Sequence, residues 1–368
     1  MAGKRGTKAS KGESGPKASV KDFAETVALL KGFAASERTP GSDPAYRNLY
    51  FEDGTVWARS GALAAVKTFS CGIDVPFAVP AERLAAALAS CTAQGVAEID
   101  LSLDKSALVW RGGAAKGRIA LSVDTKPPRP DVPAVGVEVD PSVGVGIARA
   151  LFAVPKGDQY PMLRGVYWSS DGSVMASDGD RLVLLRVDTA CPRDGGVLIP
   201  EHLLRAAKGV QITATHVDDR QVWLGTSDGT MLAGVLLHAE FPRARVVDAL
   251  GKLSESAKAG EMTRVDLTDG QPVRALLSSV VEGTVPPLHA VDVNVHADGI
   301  EVSCGREDGE VRVEIAAKVA GVPRHCRING QYLLTAMDQG VPLYFGSRCL
   351  YTADDERKFS HAVMFFAE

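Results

Sequence analysis

The residue types that perform catalysis occur in this sequence without the spacing that catalysis requires. The chain has no G-x-x-x-x-G-K-(S/T) phosphate loop, no H-E-x-x-H zinc motif and no G-x-S-x-G nucleophile elbow. Its histidines lack metal-ligand spacing, and Gly144 and Gly146 open a helix without the third glycine of a dinucleotide site. We therefore predict a protein that is not an enzyme and needs no cofactor or metal. A metal-dependent enzyme, with an ion held near Asp178 and Asp180, is the remote alternative.

Charge and cysteine content limit the function further. The 368 residues include 45 Asp and Glu against 41 Lys and Arg, so the protein does not coat nucleic acid through bulk positive charge. Six scattered cysteines without a C-x-x-C pair indicate reduced, mostly buried thiols and a cytoplasmic protein. No apolar stretch of about 20 residues indicates a membrane span, and the N-terminus lacks the apolar core of a secretory signal.

Residues 1–19 differ in composition from the rest of the chain. They carry five cations against one acid, among Gly, Ser, Ala and Thr. Such a mixture cannot bury enough apolar surface to fold. We predict a disordered basic tail over 1–19, which either keeps the protein soluble or contacts DNA.

From residue 20 onward, one pattern repeats six times. A short helix with an apolar stripe precedes two or three alternating strands, and the helix starts are 58 to 71 residues apart. The predicted starts are Lys21, Pro80, Pro141, Pro200, Gln271 and Asn329. The second, fourth and sixth helix starts resemble one another in sequence, so the larger repeat is three domains. The domains are placed at 20–130, 134–252 and 260–368, with linkers at 126–133 and 251–261.

Between the helices, apolar residues alternate with polar ones, which is the pattern of a sheet with one covered and one solvated face. Asp-Gly pairs, the strongest short-range signal of a hairpin, join these runs. They lie at 53–54, 171–172, 228–229, 298–299 and 308–309. The sequence therefore predicts an α+β fold in which each domain has two βαβββ halves and six helices cover one face of antiparallel sheets.

Three such domains in a row leave unpaired strand edges at the two ends of the chain. A cyclic homodimer removes them by joining the first domain of one chain to the third domain of the other. The strand at 116–123 is the predicted free edge, and the end of the fifth helix is predicted to face it. The predicted interface residues are Lys116, Arg118, Ile119, Leu121, Leu276 and Leu277. The alternative is that these side chains pack in the core of their own domain.

Four segments of the second domain resemble a known family. Residues 160–166, 176–182, 197–200 and 241–247 match its R-P-x-L-x-G-V, A-T-D-G-H-R-L, V-x-(I/V)-P and F-P-D-Y elements in order and spacing. The family is the β sliding clamp of bacterial DNA polymerase III, including phage-encoded relatives, and the likeness extends over 20–368. It implies a head-to-tail homodimeric ring around double-stranded DNA, with helices lining the hole and sheets outside.

The resemblance also implies that a replicative DNA polymerase, the clamp loader and repair proteins dock through short peptides in a pocket between domains two and three. Carried over by position, this pocket comprises Leu163, Ser177, Gly179, Asp180, Arg181, Leu182, Pro242, Val247, Arg348, Ala362 and Met364. The apolar members would receive peptide anchors, and Arg181 would fix the direction of the peptide.

This sequence departs from the family at the pocket rim. The family's Arg, His or aromatic residue, Asp and Tyr are replaced here by Tyr160, Asp180, Arg243 and Ala244. The usual Met-Pro-(Met/Val)-Arg ending is also absent. We therefore expect a different peptide preference.

Six cations on or beside the helices would face the DNA. They are Lys31, Arg83, Arg149, Arg205, Lys208 and Arg274, and for each an ordinary surface role is the alternative. Acidic residues on the same helices keep the lining mildly basic, which suits phosphate contacts that carry no sequence information. The resemblance thus implies a processivity factor at replication sites on the nucleoid. The alternative is a clamp-like decoy that sequesters clamp-binding peptides without being loaded on DNA.

Overall fold

The computed structural model describes residues 16–36, 41–134, 136–155, 157, 160–268, 272–286, 288–306, 309–356 and 358–366. Within these ranges the chain forms seven α-helices and 24 strands. The helices are α1 (Val20–Lys31), α2 (Ala81–Ala93), α3 (Pro141–Ala150), α4 (Glu201–Ala206), α5 (Arg243–Lys258), α6 (Val273–Glu282) and α7 (Gly330–Met337).

The strands follow each helix in short antiparallel groups. The first twelve are β1 (Lys17–Ser19), β2 (Asn48–Glu52), β3 (Thr55–Arg59), β4 (Leu63–Thr68), β5 (Phe77–Pro80), β6 (Glu98–Asp104), β7 (Ala107–Gly112), β8 (Ala115–Ala120), β9 (Val137–Glu138), β10 (Gly165–Trp168), β11 (Ser173–Ser177) and β12 (Arg181–Arg186). The others are β13 (Val197–Pro200), β14 (Ile212–Val217), β15 (Gln221–Thr226), β16 (Met231–Val235), β17 (Thr263–Leu267), β18 (Ala290–His296), β19 (Gly299–Arg306), β20 (Gly309–Ala320), β21 (Arg324–Asn329), β22 (Leu343–Phe345), β23 (Cys349–Asp354) and β24 (Phe359–Met364).

The chain divides into two compact units. The first is the chain up to Val137 together with Arg205–Val235, and the second is Glu138–Leu204 together with the residues from Leu236 onward. The first unit holds a sheet of order β1-β6-β7-β8 and one of order β5-β2-β3-β4-β16-β15-β14-β9. The second holds a twelve-stranded sheet, β13-β10-β11-β12-β24-β23-β22-β17-β20-β19-β18-β21. The predicted α+β class with antiparallel sheets is confirmed.

Six of the helices begin within two residues of their predicted starts, although Gln271 itself lies outside the described residues. The reason is visible in α1, where Phe23, Val27 and Leu30 form a fully buried stripe. At α7, the Asn329 side chain accepts hydrogen bonds from the first backbone amides and so caps the helix. Local caps and apolar spacing therefore fix these elements.

Helix α5 corrects the predicted linker at 251–261. Val246, Leu250, Leu253 and Ala257 follow one another at helical spacing and pack on the sheet. The other side of α5 is polar and includes Gly251, a poor helix former. Because of this polar face and the glycine, the sequence pattern did not predict α5, a helix that tertiary packing stabilises.

Two further local predictions can be compared with the structure. Residues 1–15 lie outside the described residues, but Lys17–Ser19 form β1, which pairs with β6, so the tail predicted to reach residue 19 is too long. Asp53 and Gly54 have φ of +51° and +67° in the turn between β2 and β3, as a type I′ hairpin requires. The other Asp-Gly pairs also lie between paired strands, except that Asp308 is outside the described residues.

The proline-rich linker predicted at 126–133 lies on a sheet of the first unit. It forms neither helix nor strand, and its Pro127 and Pro130 are buried. Val132 packs against the cluster that contains Trp57, on β3. This face of the sheet was predicted to be solvated, and the prediction is wrong because the linker covers it.

Helix α5 covers a sheet in the same way in the second unit. Every residue of β11 is buried, since α3 packs on one face of β11 and β12 and α5 packs on the other face of β12. By contrast, β18 alternates between buried Val291, Val293 and Val295 and half-buried polar residues. Strand β18 therefore follows the simple one-sided pattern that the sequence predicts.

Candidate functional site

Strands β12 and β24 bring together separate parts of the predicted peptide pocket. Leu182 is opposite Ala362 in the antiparallel register. The Met364 amide donates to the Asp180 carbonyl oxygen (2.8 Å), and the next amide donates to the Arg348 carbonyl oxygen (2.9 Å). These five residues therefore meet at one junction within the second unit.

The side of this junction that α5 covers carries an apolar cluster, here called the α5-face cluster. Its buried members are Leu163, Met175, Leu198, Phe241, Val246, Leu250, Met262, Cys349, Tyr351 and Ala362, and Leu182 is partly buried against them. Val247, on α5, and Met364, at the end of β24, remain 38% and 44% exposed. Pro242, half-buried, directly precedes α5. Exposed apolar side chains beside a packed cluster are a place where a partner can bury its own apolar groups.

The turn between β11 and β12 is held by its own polar groups. The Ser177 hydroxyl accepts from the Gly179 amide (3.1 Å), and an Asp178 carboxylate oxygen accepts from the amides of Asp180 (3.1 Å) and Arg181 (2.7 Å). Gly179 has φ of +98°, a conformation that side chains other than glycine rarely adopt. Partial burial raises the pKa of Asp180, and the Asp178 carboxylate adds to this effect. The turn thus presents a carboxyl group with a raised pKa at the rim of the junction.

Arg181 is not brought together with the apolar pocket residues. Successive side chains of a strand point to opposite faces, so Arg181 lies on the α3 face of the sheet while Leu182 faces α5. It is buried, its guanidinium contacts the Asp178 carboxylate at 2.6 Å, and its Cζ lies 3.8 Å from the Tyr332 ring centroid. A second ring, Phe152, lies 5.5 Å away. Arg181 is therefore engaged in a buried ion pair.

His361 lies beside this ion pair on the same face of the sheet. Its side chain is fully buried, and neither ring nitrogen has a hydrogen-bond partner among the described residues. Burial and, to a lesser extent, the positive charge of Arg181 together lower the pKa of His361 to about 3. The imidazole is therefore neutral in the folded protein at any pH at which the protein is used.

Because His361 is buried in its neutral form, we expect the free energy of unfolding to depend on pH. As pH falls below 6.5, the unfolded chain takes up a proton at His361 and the folded chain does not, so the free energy of unfolding falls by about 1.4 kcal/mol per pH unit until pH approaches 3. Between pH 7 and pH 5 the loss is about 2 kcal/mol. We expect His361→Leu to remove this part of the loss in urea unfolding at the two pH values. The exposed His238→Gln should leave it unchanged, and an unchanged slope in His361→Leu would contradict the assignment.

The six cations predicted to face DNA all lie on or directly after helices. Four of them, in the first unit, are exposed: Lys31, Arg83, Arg205 and Lys208. In the second unit, Arg274 is exposed and pairs with Asp338 of α7. Arg149 is half-buried, with its Cζ 4.9 Å from the Phe359 ring centroid. Five of the six therefore have the exposure that a phosphate contact needs.

Strand β8 is an edge strand, as predicted. It pairs with β7 on one side, and in the described part of the first unit no strand pairs with its other side. Lys116 and Arg118 are exposed on it, and Arg118 contacts Asp104 at 2.8 Å. Ile119 is buried in the first unit and Leu121 is half-buried. The edge therefore offers backbone groups and positive charge more than apolar surface.

The second unit contains an edge that the sequence reading missed. In β20, only Ala317–Ala320 pair with β17, so Gly309–Ile315 have β19 on one side and, within the described residues, no strand on the other. Glu310 and Glu314 are exposed along this edge. The alternation of charged and apolar residues in β20, with Arg312 between Glu310 and Glu314, was the available signal. Of the predicted residues nearby, Leu277 is fully buried in the core of its own unit, while Leu276 is half-buried.

The described residues form neither a metal site nor a membrane-spanning helix. In the described residues, no group of three or more His, Cys, Asp or Glu side chains is arranged to hold a metal ion. No helix in the same ranges is long and apolar enough to span a membrane. All six cysteines are free and buried, in line with the predicted buried thiols.

No protein-family model matches the chain, and no curated relative matches its sequence. Solved structures do match over nearly the whole chain. The DNA polymerase III β subunit from Thermotoga maritima shares 18% identity with a TM-score of 0.75, covering 96% of this chain and 99% of that one. The DNA polymerase sliding clamp from Bacillus subtilis (16%, TM-score 0.74) and the β subunit from Borrelia burgdorferi (14%, TM-score 0.76) each cover 96% of this chain and 98% of theirs. The chain therefore has the fold of these β subunits, and the resemblance inferred from the sequence is confirmed for the fold.

Proposed function

We propose that this protein is a DNA sliding clamp, a ring of two copies of the chain that encircles duplex DNA and tethers other proteins to it. The observation that carries the proposal is the fold, which nearly the whole chain shares with DNA polymerase III β subunits. The protein would act without catalysis, by keeping a replicative polymerase on its template. It would work in the cytoplasm, at replication sites on the nucleoid.

The order of the strands supports ring closure. The third strands after α1, α3 and α6 are β4, β12 and β20, and the third strands after α2, α4 and α7 are β8, β16 and β24. Within the chain, β4 pairs with β16 and β12 pairs with β24. Of these six strands, only β20 and β8 do not pair with another member of the set within the described residues. Pairing β20 of one chain with β8 of another completes the series, and a closed dimer satisfies both copies.

The charges of the two edges support the same pairing. Lys116 and Arg118 are exposed on β8, and Glu310 and Glu314 are exposed on β20. Complementary charges across an interface favour the correct partner and its orientation. This closure would leave Ile119 and Leu277 in their own cores, so we restrict the proposed interface to the exposed charges, the strand edges and the half-buried Leu121 and Leu276.

Weak contacts to DNA are enough for such a ring. The exposed cations of the first unit would contact phosphates, which carry no sequence information, while topology retains the protein. A tighter direct grip through many phosphates would hinder sliding and would weaken steeply with salt. The net charge of −4 fits retention by topology better than retention by charge.

Partner peptides would bind at the edge of the α5-face cluster. Leu182 packs against the cluster that holds the buried Leu163 and Ala362, and the more exposed Pro242, Val247 and Met364 would border the bound peptide. Burying two apolar anchors contributes roughly 3 to 6 kcal/mol before ordering costs. Backbone hydrogen bonds to the peptide would add to this, so binding of about micromolar strength, near −8 kcal/mol, is expected. Arg181 has no part in this site, because it is buried on the other face of the sheet.

Primer extension on a primed single-stranded circle tests the function. With a bacterial clamp loader and its replicative polymerase, the protein should lengthen the products of a single binding event. A clamp-like decoy would instead shorten the products made with the polymerase's own clamp, since it would sequester peptides without being loaded. Absence of both effects, together with a monomeric mass of 38.8 kDa at all concentrations, would contradict the proposal.

A further inference from the structure

A groove of about 670 Å³ adjoins the proposed peptide site at the start of α5. Its apolar walls include Tyr167, Leu198 and Phe241, and Arg193, Arg243 and Arg245 also line it. The Tyr167 and Phe241 rings are stacked, with centroids 5.1 Å apart. Leu198 and Phe241 belong to the α5-face cluster and also line the groove, as does Pro242 of the proposed peptide site. A peptide anchored on the cluster would therefore continue into this groove.

Two of these arginines lie at the N-terminal end of α5, where a positive charge is unfavourable. Arg243 and Arg245 lie in the first turn of α5, which has no acidic residue, and Pro242 before it gives no side-chain cap. A positive charge at this end opposes the helix dipole, whereas a negative charge there is stabilising. Arg243 contacts the Asp171 carboxylate at 2.8 Å, but Arg186 shares that carboxylate at 3.1 Å. Two guanidiniums thus share one carboxylate and retain donors for another acceptor.

We propose that this groove receives an acidic flank of the partner peptide, with carboxylates of that flank paired to Arg243 and Arg245. Arg245 is exposed and makes no ion pair in the part of the chain that the structure describes. Asp194 and Glu240 also line the groove, so its charge is not uniform. The acidic side chains of the partner therefore lie against the first turn of α5 and not along the whole groove. The inference rests on the proposed function and adds the chemistry of the partner.

Selection from a displayed library of random 16-residue peptides tests this inference on the full-length protein. Peptides enriched on the wild-type protein should combine apolar anchors with Asp or Glu on one flank. Fluorescence polarisation should then show roughly tenfold weaker binding of these peptides to Arg245→Ser, in line with the loss of a charge-assisted contact. The matched control is Lys252→Ser, which removes an exposed cation from the middle of the same helix and should leave binding unchanged.

The outcomes separate the inference from the proposed function. Enriched apolar anchors without an acidic flank, or acidic peptides that bind Arg245→Ser as tightly as wild type, would overturn the inference and leave the clamp proposal standing. No enrichment at all would overturn peptide tethering as well. A duplex oligonucleotide whose binding falls in Arg245→Ser, while peptide binding does not, would assign the arginines to DNA and overturn the inference.

Discussion

Replacing both Lys116 and Arg118 by glutamate is expected to weaken the self-association of this protein roughly a hundredfold. In the proposed dimer, each substitution would exchange an attraction to Glu310 or Glu314 of the other chain for a repulsion. Together they should cost about 3 kcal/mol of association free energy. The mass in solution, followed over a dilution series, should show dimers dissociating at a concentration about two orders of magnitude higher than for the wild-type protein.

Two controls make this result specific to the proposed edges. Replacing the exposed Arg220 and Lys252 by glutamate makes the same change in net charge elsewhere and should not alter the mass. Mixing the β8 variant with a chain carrying Glu310→Lys and Glu314→Lys should restore association in the mixture. Two results would contradict pairing of β8 with β20: dimers that withstand the β8 substitutions, and a mixture of the two variants in which association is not restored.

The second large effect concerns the buried ion pair below the turn at 177–180. Asp178→Ala should lower the free energy of unfolding by about 3 to 5 kcal/mol, because it leaves the Arg181 guanidinium buried without a counter-charge. The two side chains are only 7% and 11% exposed, so solvent screens the pair weakly. Urea unfolding followed by circular dichroism measures the change.

A double variant and a surface pair serve as controls for Asp178. Arg181→Met in the Asp178→Ala background removes the unpaired charge and should recover part of the loss. Asp188→Ala breaks an exposed pair with Lys358, 2.8 Å long, and should cost at most about 1 kcal/mol. If Asp178→Ala is as stable as Asp188→Ala, the ion pair is not an important part of the fold.

The helices and hairpins could be predicted because local chemistry determines them. The Asp-Gly turn at 53–54 has positive φ at both residues, which Asp and Gly tolerate. The stripe of Phe23, Val27 and Leu30 is apolar at helical spacing, and all three side chains are buried in the structure. The spacing of these signals is also what revealed the repeat. The conformation of such elements is determined by their own residues, so it can be predicted from a single sequence.

The parts that were not predicted depend on distant residues. Helix α5 has a polar face and a central glycine, and it forms because the far face of β12 and β24 is apolar there. Arg181 was assigned to the pocket by its position in a motif, but the parity of β12 turns it towards Asp178 and Tyr332. A shift of one residue along a strand changes the face, so an alignment alone cannot assign the side of the sheet.

The free edge at Gly309–Ile315 was missed for a similar reason. Its strand, β20, is continuous in sequence, yet β17 pairs only with its last four residues. Which part of a strand stays unpaired depends on where its neighbour begins, and the sequence of β20 does not contain that information. Strands β4 and β12, which hold the equivalent position in the repeat, are paired with β16 and β24, and this comparison identifies the unpaired part of β20.

Covalent closure of the ring on DNA tests the central claim most directly. A chain with Ala120→Cys on β8 and Arg312→Cys on β20 is loaded on nicked circular plasmid by a bacterial clamp loader and then treated with a bis-maleimide; the native thiols are all buried. After washing with detergent and high salt, cross-linked dimers should remain on the circular plasmid and should be released when the plasmid is cut once. Equal loss from circular and linear DNA, or cross-linking only into open chains of subunits, would contradict this claim.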